Sequence, residues 1–166
     1  MSKQKIHSPL GVFLNILGTA IIIAVIVLCL MLTVPRFAGY TGYCVLTGSM
    51  EPTIPVGSLI YSESVDPVSI AEGEVIVFSD GRSDVPITHR VISNDAENGQ
   101  LITKGDANAK ADLSPVLYSD VYGRVALHIP VLGRLLIPLG TLAGKLGVIA
   151  IIFGGLLLCE LARRLD

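Results

Sequence analysis

The chain has 166 residues, of which 51% are apolar and only 16% are charged, a composition that argues against an ordinary soluble domain and indicates a membrane protein. The formal net charge is −2 and no basic run is present, so nucleic acid is not expected as a partner. The three cysteines are far apart in the sequence, which disfavours a disulfide framework or a CxxC metal site.

The first long element is an uncharged run, rich in Ile, Leu and Val, over residues 10–34. At ~1.5 Å per helical residue it can cross a hydrocarbon core of ~30 Å. It exceeds the ~7–15 apolar residues of a cleaved signal peptide, the alternative here, and no A-x-A motif ends it. We therefore predict a transmembrane anchor at 10–35, with the lysine-containing N-terminus at 1–9 in the cytoplasm.

Residues 36–134 have a different pattern, because their apolar segments are short and are separated by Gly, Pro, Asn and Asp. Turn signals of this kind, with few helical patterns, predict a mostly-β domain of ~90 residues outside the cytoplasm. The predicted strands are Tyr43–Leu46, Ser58–Ser62, Glu74–Ser79, Pro86–Ser93, Gln100–Lys104 and Val121–Ile129.

Apolar sequence returns near the C-terminus. The segment 135–145 contains proline and glycine, and we predict that it lies on the membrane surface. A second transmembrane helix is predicted at 146–161, which is short unless Lys145 extends its side chain to the interface. Two arginines favour a cytoplasmic tail at 162–166. A re-entrant or interfacial hairpin is the alternative for this run.

The stretch Thr47–Thr53 carries a candidate nucleophile, Ser49, between a glycine and a proline-containing turn. Glycine beside a hydroxyl permits the sharp, exposed turn that a serine nucleophile needs. Serine is weak until a neighbouring base takes its proton, so a base is expected elsewhere in the chain.

His89 is the candidate base. On a strand at 86–93 it shares one face with Ile87 and Val91, so we expect it on the apolar side, where burial favours the neutral imidazole. A half-buried structural histidine is the alternative, and Lys104 is a rival base.

Two carboxylates follow the next predicted strand, Asp106 in a Gly-Asp turn and Asp112 six residues later. Either could reach the far nitrogen of an imidazole, where it would fix the tautomer and stabilise the cation. Asp106 could equally form a salt bridge with Arg90, and the loop could use these side chains for turn hydrogen bonds alone. The sequence leaves this choice open.

The segments Gly48–Thr53, His89–Ile92 and Thr103–Asn108, in this order after an N-terminal anchor, resemble type I signal peptidases of the ER-type branch, which includes the SipW-like proteins. The resemblance covers roughly residues 12–134. It implies an extracytoplasmic catalytic domain with a signal-peptidase/LexA-like β fold, anchored by transmembrane α-helices. Most bacterial relatives use a lysine as base, whereas His89 holds that position here and marks the Ser-His branch.

The resemblance also implies the roles of the site residues. The implied catalytic set comprises a nucleophile, Ser49, a general base, His89, and two aspartates of undetermined division of labour, Asp112 and Asp106. Thr47 matches a hydroxyl residue that assists the oxyanion hole in the lysine branch, and Met50 is a candidate substrate contact. No metal and no cofactor are implied.

The implied activity is a serine endopeptidase, signal peptidase I, that removes signal peptides from secreted preproteins after small residues at −1 and −3. Its expected partners are signal peptides, the lipid bilayer and the protein translocation machinery. From Pro35 to Ser49 the chain can span at most ~46 Å, so Ser49 can lie at the bilayer surface. We also expect Met50, Ile54 and the stretch Val131–Leu139 to dip into the interface.

Two other functional classes remain open. A non-catalytic membrane-anchored β module, such as a scaffold of a secretion complex, would not need Ser49, His89 and an aspartate together. A related membrane serine peptidase that cleaves itself or a regulator would share the chemistry. The double-span topology and the lack of a DNA-binding segment argue against this second class.

Overall fold

A computed structural model describes residues 8–81 and 85–165 of the chain. The described residues leave out Lys3, Lys5 and His7 near the N-terminus, Arg82 and Ser83 in the turn between two predicted strands, and Asp166 of the predicted tail. The described chain forms two compact units: the apolar N- and C-terminal parts form one, and Pro35–Ile137 forms the other.

The first unit contains two long helices, α1 over Pro9–Phe37 and α3 over Leu142–Leu165. Both are long and apolar enough to cross a membrane. They approach closely at Gly18, where an added Cβ would lie 2.6 Å from the Gly155 carbonyl oxygen and 2.8 Å from Cys159 Sγ. Small residues permit this close approach of two helical backbones.

The α3 helix begins four residues before the predicted second span, so Lys145 lies inside its first turn. Its start is set by Thr141, whose side-chain oxygen accepts a hydrogen bond of 3.1 Å from the Gly144 N–H. A threonine in this N-cap position satisfies a backbone donor that the helix leaves free. The shorter helix α2, Leu132–Leu139, precedes it.

The second unit is built on one seven-stranded antiparallel sheet with the order β1-β2-β7-β3-β4-β5-β6. This confirms the mostly-β prediction. Two short 3-10 turns, Pro67–Ser69 and Tyr118–Asp120, connect strands. The strands are β1 (Tyr40–Cys44), β2 (Leu59–Glu63), β3 (Val75–Phe78), β4 (Ile87–Asp95), β5 (Gln100–Lys104), β6 (Val116–Leu117) and β7 (Val121–Ile129).

Both faces of the sheet are covered by apolar side chains, because successive residues of a strand point to opposite faces. On β3, Ile76 and Phe78 belong to one buried cluster and Val77 belongs to the other. The second cluster also contains Met50 and Ile54, which are 1% and 2% exposed. The expectation that these two residues dip into a membrane interface is therefore wrong.

Candidate active site

Ser49 lies in a series of tight turns between β1 and β2. The Glu51 N–H donates to the Gly48 carbonyl at 3.0 Å, and the Ile54 N–H donates to the Met50 carbonyl at 2.8 Å. These turns direct Met50 and Ile54 into the core and leave Ser49 half-buried. The apolar neighbours of Ser49 therefore fix its backbone by packing against the sheet.

The loop after β5 supports the backbone of Ser49 from the other side. The Ala107 N–H donates a hydrogen bond of 2.9 Å to the Ser49 carbonyl. A Cβ added at Gly105 would lie 2.6 Å from that same carbonyl oxygen, closer than any side chain can approach. Position 105 thus accommodates only glycine without a shift of the backbone that carries Ser49.

His89 lies on β4 and is only 9% exposed. Its ring meets the edge of Phe78, with 6.1 Å between the ring centroids. Val91 of the buried core lies on the same face of β4 as His89. The alternation of the strand therefore correctly predicted that His89 lies on the apolar face of the sheet.

Asp112 lies next to the imidazole. Its Oδ2 is 2.6 Å from His89 Nδ1 and also accepts a hydrogen bond of 2.7 Å from the Thr103 hydroxyl. The Asp112 N–H donates to the Thr103 carbonyl at 2.9 Å. Thr103 is fully buried and was missed by the sequence analysis. The sequence feature that could have identified Thr103 is a polar residue at an inward-facing position of the strand next to the one that carries His89.

Asp106 is bound to Arg90 instead of the imidazole. Arg90 Nε and Nη2 donate to the two oxygens of Asp106 at 2.8 and 2.6 Å, and Arg90 Nη1 donates to the Gly73 carbonyl at 2.6 Å. Hydrogen bonds from Arg90, and a further one from Thr53, lower the pKa of Asp106 below its ordinary value. Asp106 therefore links the Thr47–Thr53 stretch to β4.

Lys104, the rival base, is on the other face of the sheet. It is the cross-strand partner of Arg90, and directly opposed residues of an antiparallel pair share one face. Because Arg90 follows His89 on β4, its side chain points to the opposite face from the imidazole. The register thus separates Lys104 from the face that carries His89 and Thr103.

Ser49 and His89 line one cleft of about 800 Å³. One wall is the end of β1 and the segment after it, including Thr47 and Met50, and the other wall is 85–89 at the start of β4. Apolar side chains from both walls and from α2 face the cleft: Tyr43, Val45, Leu46, Ile87 and Ile137. Within residues 8–81 and 85–165, no group of three His, Cys, Asp or Glu side chains is placed to hold a metal ion.

A protein-family model described as "Signal peptidase, peptidase S26" matches residues 17–106, which is more than half of the chain. The chain belongs to this signal peptidase family. The matched region contains Ser49, His89 and Asp106, whereas Asp112 lies beyond its end. Family membership confirms the resemblance seen in the sequence and, with the two long apolar helices, supports a membrane location.

Individual relatives of the chain are also named as signal peptidases. The chain is 38% identical over 112 residues to signal peptidase I W of Bacillus subtilis, an alignment that covers 61% of this chain and 58% of that protein. It is 36% identical over 105 residues to the signal peptidase complex catalytic subunit SEC11C of Homo sapiens, with 56% and 54% covered. For the SEC11 subunit of Pyricularia oryzae the identity is 34% over 107 residues, with 57% and 61% covered. The chain thus spans little more than half the length of these relatives.

Proposed function

We propose that this chain is a membrane-bound serine endopeptidase that removes signal peptides from preproteins. Ser49 is the nucleophile, His89 is the general base and Asp112 orients the imidazole. The observation that carries the proposal is the cleft that Ser49 and His89 line together, with Asp112 held 2.6 Å from the far nitrogen of His89. Membership of the signal peptidase family supports the same activity.

The hydrogen-bond arrangement around the His89 ring fits this chemistry. With its Nδ1–H donated to Asp112, the neutral imidazole presents Nε2 as an acceptor. His89 takes the Ser49 proton as the Ser49 oxygen attacks the scissile carbonyl, and Asp112 stabilises the imidazolium that forms. The imidazolium then protonates the leaving amine. Water hydrolyses the acyl-enzyme, and His89 again acts as the base.

The developing oxyanion needs donors close to the nucleophile. The Ser49 N–H and the Thr47 hydroxyl are the groups that we assign to this task, since Thr47 lines the same cleft and is exposed. One donor of this kind lowers a barrier by about 3 kcal/mol.

Asp106 acts through other residues in this proposal. The hydrogen bonds that its carboxylate accepts from Arg90 and Thr53 hold the stretch that carries Ser49 against the strand that carries His89. It is therefore a positioning residue, and Asp112 is the carboxylate that serves the base.

The substrate segment binds as an extended strand between the two walls of the cleft. In an extended peptide, the side chains at −1 and −3 point to the same side, which is why two small residues at this spacing form one specificity element. The apolar lining, including Tyr43, Val45 and Ile87, suits alanine, and larger side chains are rejected where the pockets are shallow.

For the membrane arrangement we propose that α1 and α3 both cross the bilayer, with both chain ends in the cytoplasm and the sheet on the other side. Arg163 and Arg164 close α3 and favour the cytoplasmic side. Val131, Leu135 and Ile137 in and before α2 are exposed apolar residues that would contact the bilayer surface. The protein translocation machinery is the partner that would deliver preproteins to this site.

The test is cleavage of a labelled preprotein by the full chain in phospholipid-detergent micelles. Ser49→Ala should abolish cleavage, whereas Ser114→Ala, which removes an exposed hydroxyl elsewhere in the same unit, should retain it. A control protein without a signal peptide should stay intact. Undiminished cleavage by Ser49→Ala, or cleavage of the control protein alone, would overturn the proposal.

A further inference from the structure

A second cleft, of about 740 Å³, lies beside the one that contains Ser49. It is bounded by the end of β3 at 78–80 and by the segment that leads from β5 into β6 at 107–116. Ile87, His89 and Asn108 line both clefts, so the two are continuous at the imidazole. Among the described residues that line the second cleft, neither Ser49 nor Thr47 is present. The proposed general base therefore stands at the junction of two clefts.

The proposed chemistry assigns a different part of the substrate to each cleft. Ser49 retains the acyl part, with the residues at −1 and −3, in the cleft that Thr47 and Met50 also line. His89 passes the serine proton to the leaving nitrogen, and that nitrogen belongs to residue +1 of the substrate. The chain after the scissile bond therefore departs on the His89 side, where the second cleft begins.

The second cleft has an apolar wall next to the imidazole. The centroids of the Phe78 and His89 rings are 6.1 Å apart, and Phe78 and Val116 are both buried. Leu113 also lines this cleft and is fully exposed, so it offers apolar surface that a bound peptide can cover. An apolar lining with a few polar groups is typical of sites that bind a ligand.

The end of this cleft that lies beyond Phe78 is acidic. Asp80 follows Phe78 by two residues and lines the cleft together with Asp120. The Ser79 N–H donates to the Asp120 carbonyl at 2.9 Å, which holds the two segments side by side. Asp120 Oδ1 accepts a hydrogen bond of 3.1 Å from the Ser119 hydroxyl, a neutral partner that leaves the carboxylate charged. Two carboxylates are thus placed at one end of the cleft.

The position of these carboxylates gives the substrate residues that they meet. At about 3.3 Å per residue, an extended peptide that starts at the His89 ring needs about two residues to pass the Phe78 ring and about two more to reach Asp80 and Asp120. The side chains at +3 and +4 therefore lie nearest to the acidic end. Lys110 lines the same cleft but precedes Asp112, the partner of His89, by two residues.

We propose that the second cleft binds the first residues of the mature part of a preprotein, and that Asp80 and Asp120 favour lysine or arginine at +3 or +4. The inference rests on the proposed function. A basic side chain at these positions is attracted by the two carboxylates, whereas an acidic side chain is repelled. The enzyme thus selects on both sides of the scissile bond, for small residues before it and for positive charge after it.

The test compares three labelled preproteins that share one signal peptide and differ only at +3 and +4, where they carry two lysines, two glutamines or two glutamates. The enzyme is the full chain in micelles of uncharged lipid and detergent. For the wild type, kcat/KM should be about tenfold higher with lysines than with glutamates, with glutamines between them. Added salt should reduce this ratio.

Variants assign the effect to the cleft. Asp120→Asn should lower the ratio at least about threefold, and Asp80→Asn is a second variant with the same expected direction. Glu97→Gln, which neutralises an exposed carboxylate in the turn between β4 and β5, should keep the wild-type ratio. Thermal unfolding verifies that each variant folds.

Equal cleavage of the three preproteins by the wild type overturns this inference and leaves the proposed function standing. A preference for glutamates, or a preference for lysines that both aspartate variants retain in full, also overturns it. If the wild type cleaves none of the three preproteins, the proposed function fails as well.

Discussion

The Thr103 hydroxyl donates a hydrogen bond of 2.7 Å to Asp112 Oδ2. This oxygen is the one that lies 2.6 Å from His89 Nδ1, and the Thr103 carbonyl accepts the Asp112 N–H. A single buried strand residue therefore fixes both the backbone and the carboxylate of Asp112. The orientation of the imidazole depends on the β4–β5 pairing as much as on the loop.

The first prediction concerns this hydroxyl. Thr103→Val keeps the shape and removes the donor, so kcat should fall about 10- to 100-fold, the equivalent of one hydrogen bond to a charged group. KM should be unchanged, because Thr103 is not among the residues that line the cleft. Steady-state kinetics on a preprotein measure both, and Thr103→Ser should restore kcat. A change confined to KM would contradict the assigned role.

The second prediction concerns Gly105. Gly105→Ala brings a Cβ within 2.6 Å of the Ser49 carbonyl oxygen, and because that oxygen belongs to the backbone, the serine must move. We expect kcat/KM to fall about 100-fold, as a shift of about 1 Å at a reacting group does, while the chain stays folded. Gly154→Ala is the control, since a Cβ there meets no atom within 4 Å. Equal activity of the two variants would refute the role of this contact.

The third prediction is a dependence of stability on pH. Hydrogen bonds from Arg90 lower the pKa of Asp106 in the folded chain below its ordinary value of 3.8. A carboxylate with a depressed folded pKa stabilises the fold above its unfolded pKa, and this contribution is lost as the pH falls through the folded pKa. Thermal unfolding of the wild type in detergent should therefore show a loss of stability below about pH 4 that Asp106→Asn lacks.

The control for this measurement is Glu97→Gln, which neutralises an exposed carboxylate of the same unit. It should keep the acid-dependent loss of the wild type. Above about pH 4, the Asp106→Asn variant should be less stable than the wild type, because Arg90 loses its charged partner. If the unfolding temperatures of the wild type and Asp106→Asn fall in parallel as the pH is lowered, the ion pair between Asp106 and Arg90 does not cause the acid-dependent loss of stability.

The fourth prediction distinguishes the two candidate bases. His89→Ala should lower activity by at least about 100-fold, the usual contribution of general base catalysis, and Lys104→Ala should leave activity near wild type because its side chain is on the other face of the sheet. The reverse pattern in the two variants would favour the lysine.

Local sequence signals predicted much of the fold. Strand alternation and turn residues identified six of the seven strands, whereas β6 was missed because it has only two residues. The first strand was predicted too late in the chain. Val45 lies beyond the end of β1. Its N–H donates to the Ser58 carbonyl, and its carbonyl accepts from the Gly57 N–H. Loop hydrogen bonds of this kind leave no periodic pattern in the sequence.

The sequence indicated those candidate site residues that lie in a short motif. It could not choose between the two aspartates, because that choice depends on strand register. Ser49 was a candidate from its own neighbours, whereas His89 alone also fitted a structural histidine and became the candidate base through the resemblance. The structure places both in one cleft. Asp106 and Asp112 could not be told apart, because the register that opposes Arg90 to Lys104 and Val91 to Thr103 decides which carboxylate meets which face. Met50 and Ile54 were misassigned for a similar reason, since the turns around Ser49 direct them into the core.

If the proposed function holds, the contact between α1 and α3 at Gly18 and Gly155 limits the route by which a preprotein would reach Ser49. A helix with its side chains is about 10 Å across, but at this level the two helices leave no room even for an added methyl group on Gly18. In the proposed membrane arrangement, the apolar helix of a signal peptide would not pass between the two helices at this level. It would approach along an outer, lipid-facing side of the pair.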